Sequence, residues 1–158
     1  MRPTPLIYIE TSVFGFCFDP MPHNVLKREA AVLLFRQVSA GVFSAVTSPL
    51  TTTELNRAAE PLRNRMLELL DDVAELELDA EEVERLAATY VGDGVVPADY
   101  LDDARHAAFA SIAGADVLVS MKPPAPIKRM GRTQAERSQP PRRIPPDRRA
   151  HTRGGVAI

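Results

Sequence analysis

The chain predicts an α/β fold with a parallel sheet. Short apolar, β-prone segments alternate with longer segments of helical periodicity over residues 6–120, and turn or cap residues mark the changeovers. A change of composition sets the limit of that domain. Residues 122–158 hold ten of the 19 Lys/Arg but two of the 21 Asp/Glu, a net +8, and seven of the 14 prolines. The preceding 121 residues keep nine basic and 19 acidic groups, a net −10. The division is therefore a domain over 1–121 and a Pro/Arg-rich tail over 122–158.

Leu6-Ile7-Tyr8-Ile9 reads as a strand buried on both faces, ended by Glu10-Thr11-Ser12. A carboxylate at the rim of a core needs a cation, hydrogen bonds or water. Ligands bind at such strand ends in open α/β sheets, although a solvated turn is the plainer reading of Glu10 and Ser12. Phe14-Gly15-Phe16-Cys17-Phe18 reads as an aromatic loop, closed by Asp19-Pro20 and Met21-Pro22. Asn24 is placed to cap a helix with Val25, Leu26, Ala30, Leu33, Leu34 and Val38 as its apolar stripe, stopped by Gly41.

Residues 42–47 read as a second strand. Ser48-Pro49 then supplies a cap and a first-turn proline, which sets Glu54 inside a short helix. Pro61 opens another helix with Leu62, Met66, Leu69 and Leu70 inward, and residues 73–78 read as a third strand. Asp79-Ala80-Glu81-Glu82 has capping-box spacing, followed by Val83, Leu86, Ala87 and Tyr90 at helical intervals. Gly92-Asp93-Gly94 reads as a loop. Pro97 leads into a helix over about 99–113, and Val117-Leu118-Val119 reads as a last buried strand.

These features bound the function. No apolar run approaches the roughly 20 residues needed to span a bilayer. No secretory signal is visible, so a cytoplasmic location is expected. The lone Cys17 excludes an intramolecular disulfide framework and a cysteine zinc site. No phosphate loop, nucleophile elbow or His-rich metal motif occurs.

The chemistry-bearing residues are acidic. Glu10 ends a strand, Glu54 follows the second strand, and Asp99 and Asp103 stand one turn apart. Asp99, Asp103 and His106 share one helix face, opposite Leu101, Ala104, Ala108 and Ile112. Spacing alone makes that face polar and solvated, with His106 a hydrogen-bonded structural residue; His23 gives no signal.

Taken in order, several segments resemble the PIN domain, the metal-dependent ribonuclease fold of many toxin–antitoxin toxins. They are Ile7-Tyr8-Ile9-Glu10-Thr11-Ser12-Val13, Ser48-Pro49-Leu50 with Glu54, and Gly94-Val95-Val96-Pro97 leading to Asp103-Ala104-Arg105-His106-Ala107-Ala108. Ala115-Asp116-Val117-Leu118-Val119-Ser120 completes the set. The resemblance implies three layers, with a central parallel sheet flanked by helices. It implies that Glu10, Glu54 and Asp103 hold Mg²⁺ or Mn²⁺ as metal-binding, catalytic acids, with Asp99 in support. Ser12 would orient a carboxylate or water, or cap the following turn. It further implies hydrolysis of RNA phosphodiesters, with an antitoxin-like protein or a second copy of the chain as further partners.

The last segment departs from that pattern. After Ser120 the family continues with an aromatic or apolar residue, an Asn or Asp, and a nearby Asp or His; this chain has Met121-Lys122-Pro123-Pro124-Ala125. Removing one base permits Met-Asn-Arg-Arg-His instead, and the same shift turns residues 151–156 into a family-like Thr-Pro-Glu-Glu-Val. A shifted reading frame is the preferred reading of the tail; a disordered basic arm attracted to RNA phosphates is the other. The expected function is therefore an impaired metal-dependent ribonuclease. The alternative is a degenerate, non-catalytic module that binds RNA or a protein partner.

Overall fold

The computed structural model describes residues 3–123. Among these, β1 (Leu6–Ile9), β2 (Ser44–Thr47), β3 (Ala74–Glu75) and β4 (Val117–Val119) form one parallel sheet in the order β3-β2-β1-β4. β1 lies inside the sheet, so its backbone bonds on both sides: Ile7 is in register with Ala45 of β2 and Val117 of β4.

Side-chain alternation along β1 divides the core. Ile7 and Ile9 join a cluster with Val13, Phe14, Phe35 and Leu55 on one face, while Tyr8 packs with Val46 and Ala110 on the other. The first face is covered by α1 (Thr11–Phe16), α2 (Val25–Ser39), α3 (Pro49–Leu55) and α4 (Leu62–Glu68). α6 (Leu101–Ile112) brings Ala110 to the second face and packs its Ala104 and Ala108 against Val83 and Ala87 of α5 (Ala80–Gly92). The α/β fold with a parallel sheet flanked by helices is as expected.

Several elements differ from the sequence reading. The aromatic segment after β1 is helical: the Glu10 side chain accepts the Ser12 N–H as an N-cap, and Val13 and Phe14 are buried. Phe14 lies 5.0 Å from Phe35, ring centroid to centroid, and that contact draws the segment onto the core. Burying each such side chain contributes about 1.5–3 kcal/mol, enough to outweigh the helix penalty of Gly15.

In α2 the buried face is Ala31, Phe35 and Val38, whereas Leu26 and Leu33 are exposed. Asn24 precedes this helix without a side-chain cap bond. β3 is confined to two residues, Leu62 is partly exposed, and Leu69 and Leu70 lie in a short 3-10 helix after α4. β4 is an edge strand with Val117 and Leu118 exposed, because β1 pairs with only one of its sides. Gly92 ends α5, and the turn passes through Gly94 at φ +73°, where a side chain would be strained.

The caps expected at Ser48 and Asp79 are present: Ser48 accepts the Thr51 N–H, and Asp79 accepts the Glu81 N–H. Among the described residues no helix is long and apolar enough to cross a membrane. The readings of residues 124–158 as a disordered arm or a shifted frame lie outside the described residues.

Candidate metal centre

The chain leaves β1 toward β2 on one side of the sheet and returns to β4 on the other, so a switch point lies between β1 and β4. Crevices at such points, beyond the carboxyl ends of the strands, are where open α/β sheets bind ligands. Glu10 follows β1 there and Ser120 follows β4. Glu10 is 2% exposed.

Its carboxylate collects three donors. Ser12 offers its N–H to Oε1 at 3.1 Å and its hydroxyl to Oε2, and the Ser120 hydroxyl reaches Oε2 at 2.8 Å. Each hydroxyl also accepts a backbone N–H from the segment after β4. Met121 donates to Ser12 Oγ at 2.9 Å, and Lys122 donates to Ser120 Oγ at 3.1 Å. Ser12 thus orients the acid and ties down the chain beyond β4. The solvated-turn reading of Glu10 and Ser12 does not hold.

Glu54, set by the Ser48 cap and Pro49, comes from α3. Its Oε1 receives His106 Nε2 at 2.9 Å, and ligand atoms of Glu10, Glu54 and His106 all lie within 4.8 Å of one another. Partial burial pushes the Glu54 carboxyl up; the His106 hydrogen bond and the nearby Lys122 charge outweigh it, so its pKa lies below 4.5. Thr11 Oγ1 is buried without a hydrogen-bond partner; it stands near enough to Glu54 to favour the carboxylate without completing a bond.

On the polar face of α6, Asp103 is partly exposed but His106 is not solvated. His106 is 1% exposed, and the Tyr8 hydroxyl holds its Nδ1 at 2.8 Å. The same hydroxyl meets Ser48 Oγ at 2.7 Å. Burial is the main cause pushing the Tyr8 phenol up to about 12, so it keeps its proton.

Asp103 reaches the cluster through Lys122. The ammonium lies 3.4 Å from Asp103 Oδ1 and 3.7 Å from Glu10 Oε1. Partial burial alone would lower the lysine's pKa, but Glu10, Asp103 and Glu54 together raise it above 10.5. Glu10, Asp103, His106, Leu118, Ser120 and Lys122 line one open depression. Asp99, in the exposed 3-10 turn before α6, borders a second depression with Asp103 and Lys122.

No known family model and no curated protein matches this chain.

The arrangement itself says what it can do. The ligand atoms that converge are those of Glu10, Glu54 and His106, a set that could hold a metal ion, whereas Asp103, which the resemblance names, stands outside it and approaches through Lys122. A carboxylate offers about four lone-pair sites, so the bonds already accepted leave room for a cation. Lys122 lies between Glu10 and Asp103, and its single positive charge offsets one of their two negative charges. Sequence reasoning missed the contributions of Ser120 and Tyr8, whereas His106 is hydrogen-bonded as expected. A buried tyrosine needs a partner for its hydroxyl, and that was the available signal for Tyr8.

Proposed function

We propose that this chain is a PIN-like protein descended from metal-dependent ribonucleases, whose acidic site is occupied by its own lysine. The supporting observation is the position of the Lys122 ammonium, 3.4 Å from Asp103 and 3.7 Å from Glu10, where the resemblance expects a metal beside those acids.

In this reading Glu10, Glu54 and Asp103 would hold Mg²⁺ or Mn²⁺, which would lower the pKa of a water and neutralise charge on the scissile phosphate of RNA. The protein supplies orientation: Ser12 and Ser120 fix Glu10, and His106 fixes Glu54. Lys122 opposes metal entry by direct charge competition, and Pro123 after it does not continue a helix. The chain as it stands is thus a poor nuclease.

A second reading draws on the same ion pairs: with Lys122 closing the site, the fold serves as a non-catalytic module that binds RNA or an antitoxin-like protein. Cleavage of single-stranded RNA separates the two. The unmodified chain should cleave weakly with Mn²⁺. A chain restored to the alternative frame from codon 122 should cleave and lose activity with EDTA or Asp103→Asn. Robust cleavage by the unmodified chain would defeat the impaired-nuclease reading, and an inert restored chain would favour the binding module.

A further inference from the structure

Glu54 is reached from inside the core by an unbroken chain of hydrogen bonds. Thr51 N–H donates to Ser48 Oγ, Ser48 Oγ meets the Tyr8 hydroxyl, Tyr8 meets His106 Nδ1, and His106 Nε2 meets Glu54 Oε1. Tyr8, Ser48 and His106 are each no more than 1% exposed, so these groups are shielded from bulk solvent. The chain links β1, the turn before α3, and α6.

For an uncharged imidazole the donors and acceptors set one pattern of protons. An ionised Glu54 only accepts, so Nε2 carries hydrogen. In a neutral ring Nδ1 then accepts, so Tyr8 donates to it and Ser48 donates to the Tyr8 oxygen. Ser48 Oγ still accepts from Thr51 N–H. The reverse polarity would leave the Ser48 proton with no acceptor among these partners. Both ring nitrogens are therefore committed within the protein.

We propose that His106 is the positioning residue of Glu54: the Ser48–Tyr8 chain fixes its Nε2–H tautomer, and that hydrogen bond, not metal ligation by the ring, aims the carboxylate into the site. The positioning role toward a metal rests on the function proposed above; the tautomer does not. Partners of this kind typically change metal affinity 10–100-fold when removed.

The test has two arms, both on the full chain. In the first, histidine nitrogens are labelled and their long-range proton couplings read by NMR at neutral pH, in the chain and in its Lys122→Ala variant, before and after saturating Mg²⁺. The expected result is an Nε2–H tautomer for His106 that Mg²⁺ leaves unchanged. A proton on Nδ1, or loss of the Nε2 proton on adding Mg²⁺, would overturn the proposal.

The second arm measures Mn²⁺ affinity in His106→Gln and His106→Ala, with circular dichroism as the check on folding. Gln keeps an N–H donor at the Nε2 position, so its affinity should stay within about threefold, whereas Ala should lose about tenfold or more. Equal loss in two folded variants would overturn the positioning role. If the chain binds no Mn²⁺ even with Lys122→Ala, the metal reading fails, and the tautomer still decides whether His106 is fixed as proposed.

Discussion

The Lys122 ammonium lies 3.4 Å from the Asp103 carboxylate, joining the segment after β4 to the first turn of α6. Glu10 stands on the other side of the same ammonium at 3.7 Å. Half-exposed pairs are individually weak, but two carboxylates around one cation form a network whose geometry matters. Removing either acid has different consequences for metal binding and for the metal-free fold.

Asp103→Asn should therefore weaken Mn²⁺ binding by about tenfold, equivalent to about 1.4 kcal/mol, while Asp99→Asn changes it little. Asp103 faces Glu10 across the lysine, and Asp99 is exposed in the preceding turn. Calorimetric titration of both variants checks this; equal effects would remove Asp103 from the site.

Ser120→Ala takes away a donor to Glu10 Oε2 and the acceptor of the Lys122 N–H. Two hydrogen bonds at about 0.5–1.5 kcal/mol each are at stake. A loss of about 1–3 kcal/mol in urea unfolding is expected, with a smaller change for Ser111→Ala, an exposed hydroxyl that meets Tyr90. A neutral Ser120→Ala would mean that the segment after β4 is held by other contacts.

The acid limb of stability should depend on Glu54. Its folded pKa is depressed, so its contribution is present above the unfolded value and is lost as pH falls through the lower folded value. Glu54→Gln should flatten the decline in urea midpoint below about pH 4.5. Lys122 has the opposite sign: its raised folded pKa gives stability present below 10.5 and lost as pH rises through the folded value. Lys122→Met should flatten the alkaline limb. Unchanged limbs in these variants would count against the charge network.

Local signals account for what could be read from the chain. β1, the Ser48–Pro49 cap and the Asp79 cap depend on neighbours within a few residues, and they appear where expected. α1 was obscured because its cap is Glu10, outside the usual short-side-chain cappers, and because Gly15 and three phenylalanines read as loop. The exposure of Val117 and Leu118 follows from strand order, which spacing does not encode. In the site, the acids could be named from the resemblance. The His106–Glu54 bond joins residues 52 positions apart, and the Tyr8–His106 bond spans 98, so no local pattern announces either.

In the proposed function, Glu10, Glu54 and Asp103 form a cation site that Lys122 fills. Calorimetric titration of Mn²⁺ into the full chain and into Lys122→Ala tests it most directly. At an effective dielectric of about 20, a unit charge about 4 Å away is worth about 4 kcal/mol, reduced here by the lysine's exposure. Mn²⁺ should bind at least tenfold more tightly to Lys122→Ala, a gain reversed when Asp103→Asn is added. Equal affinity in the two proteins, or no binding in either, would contradict it.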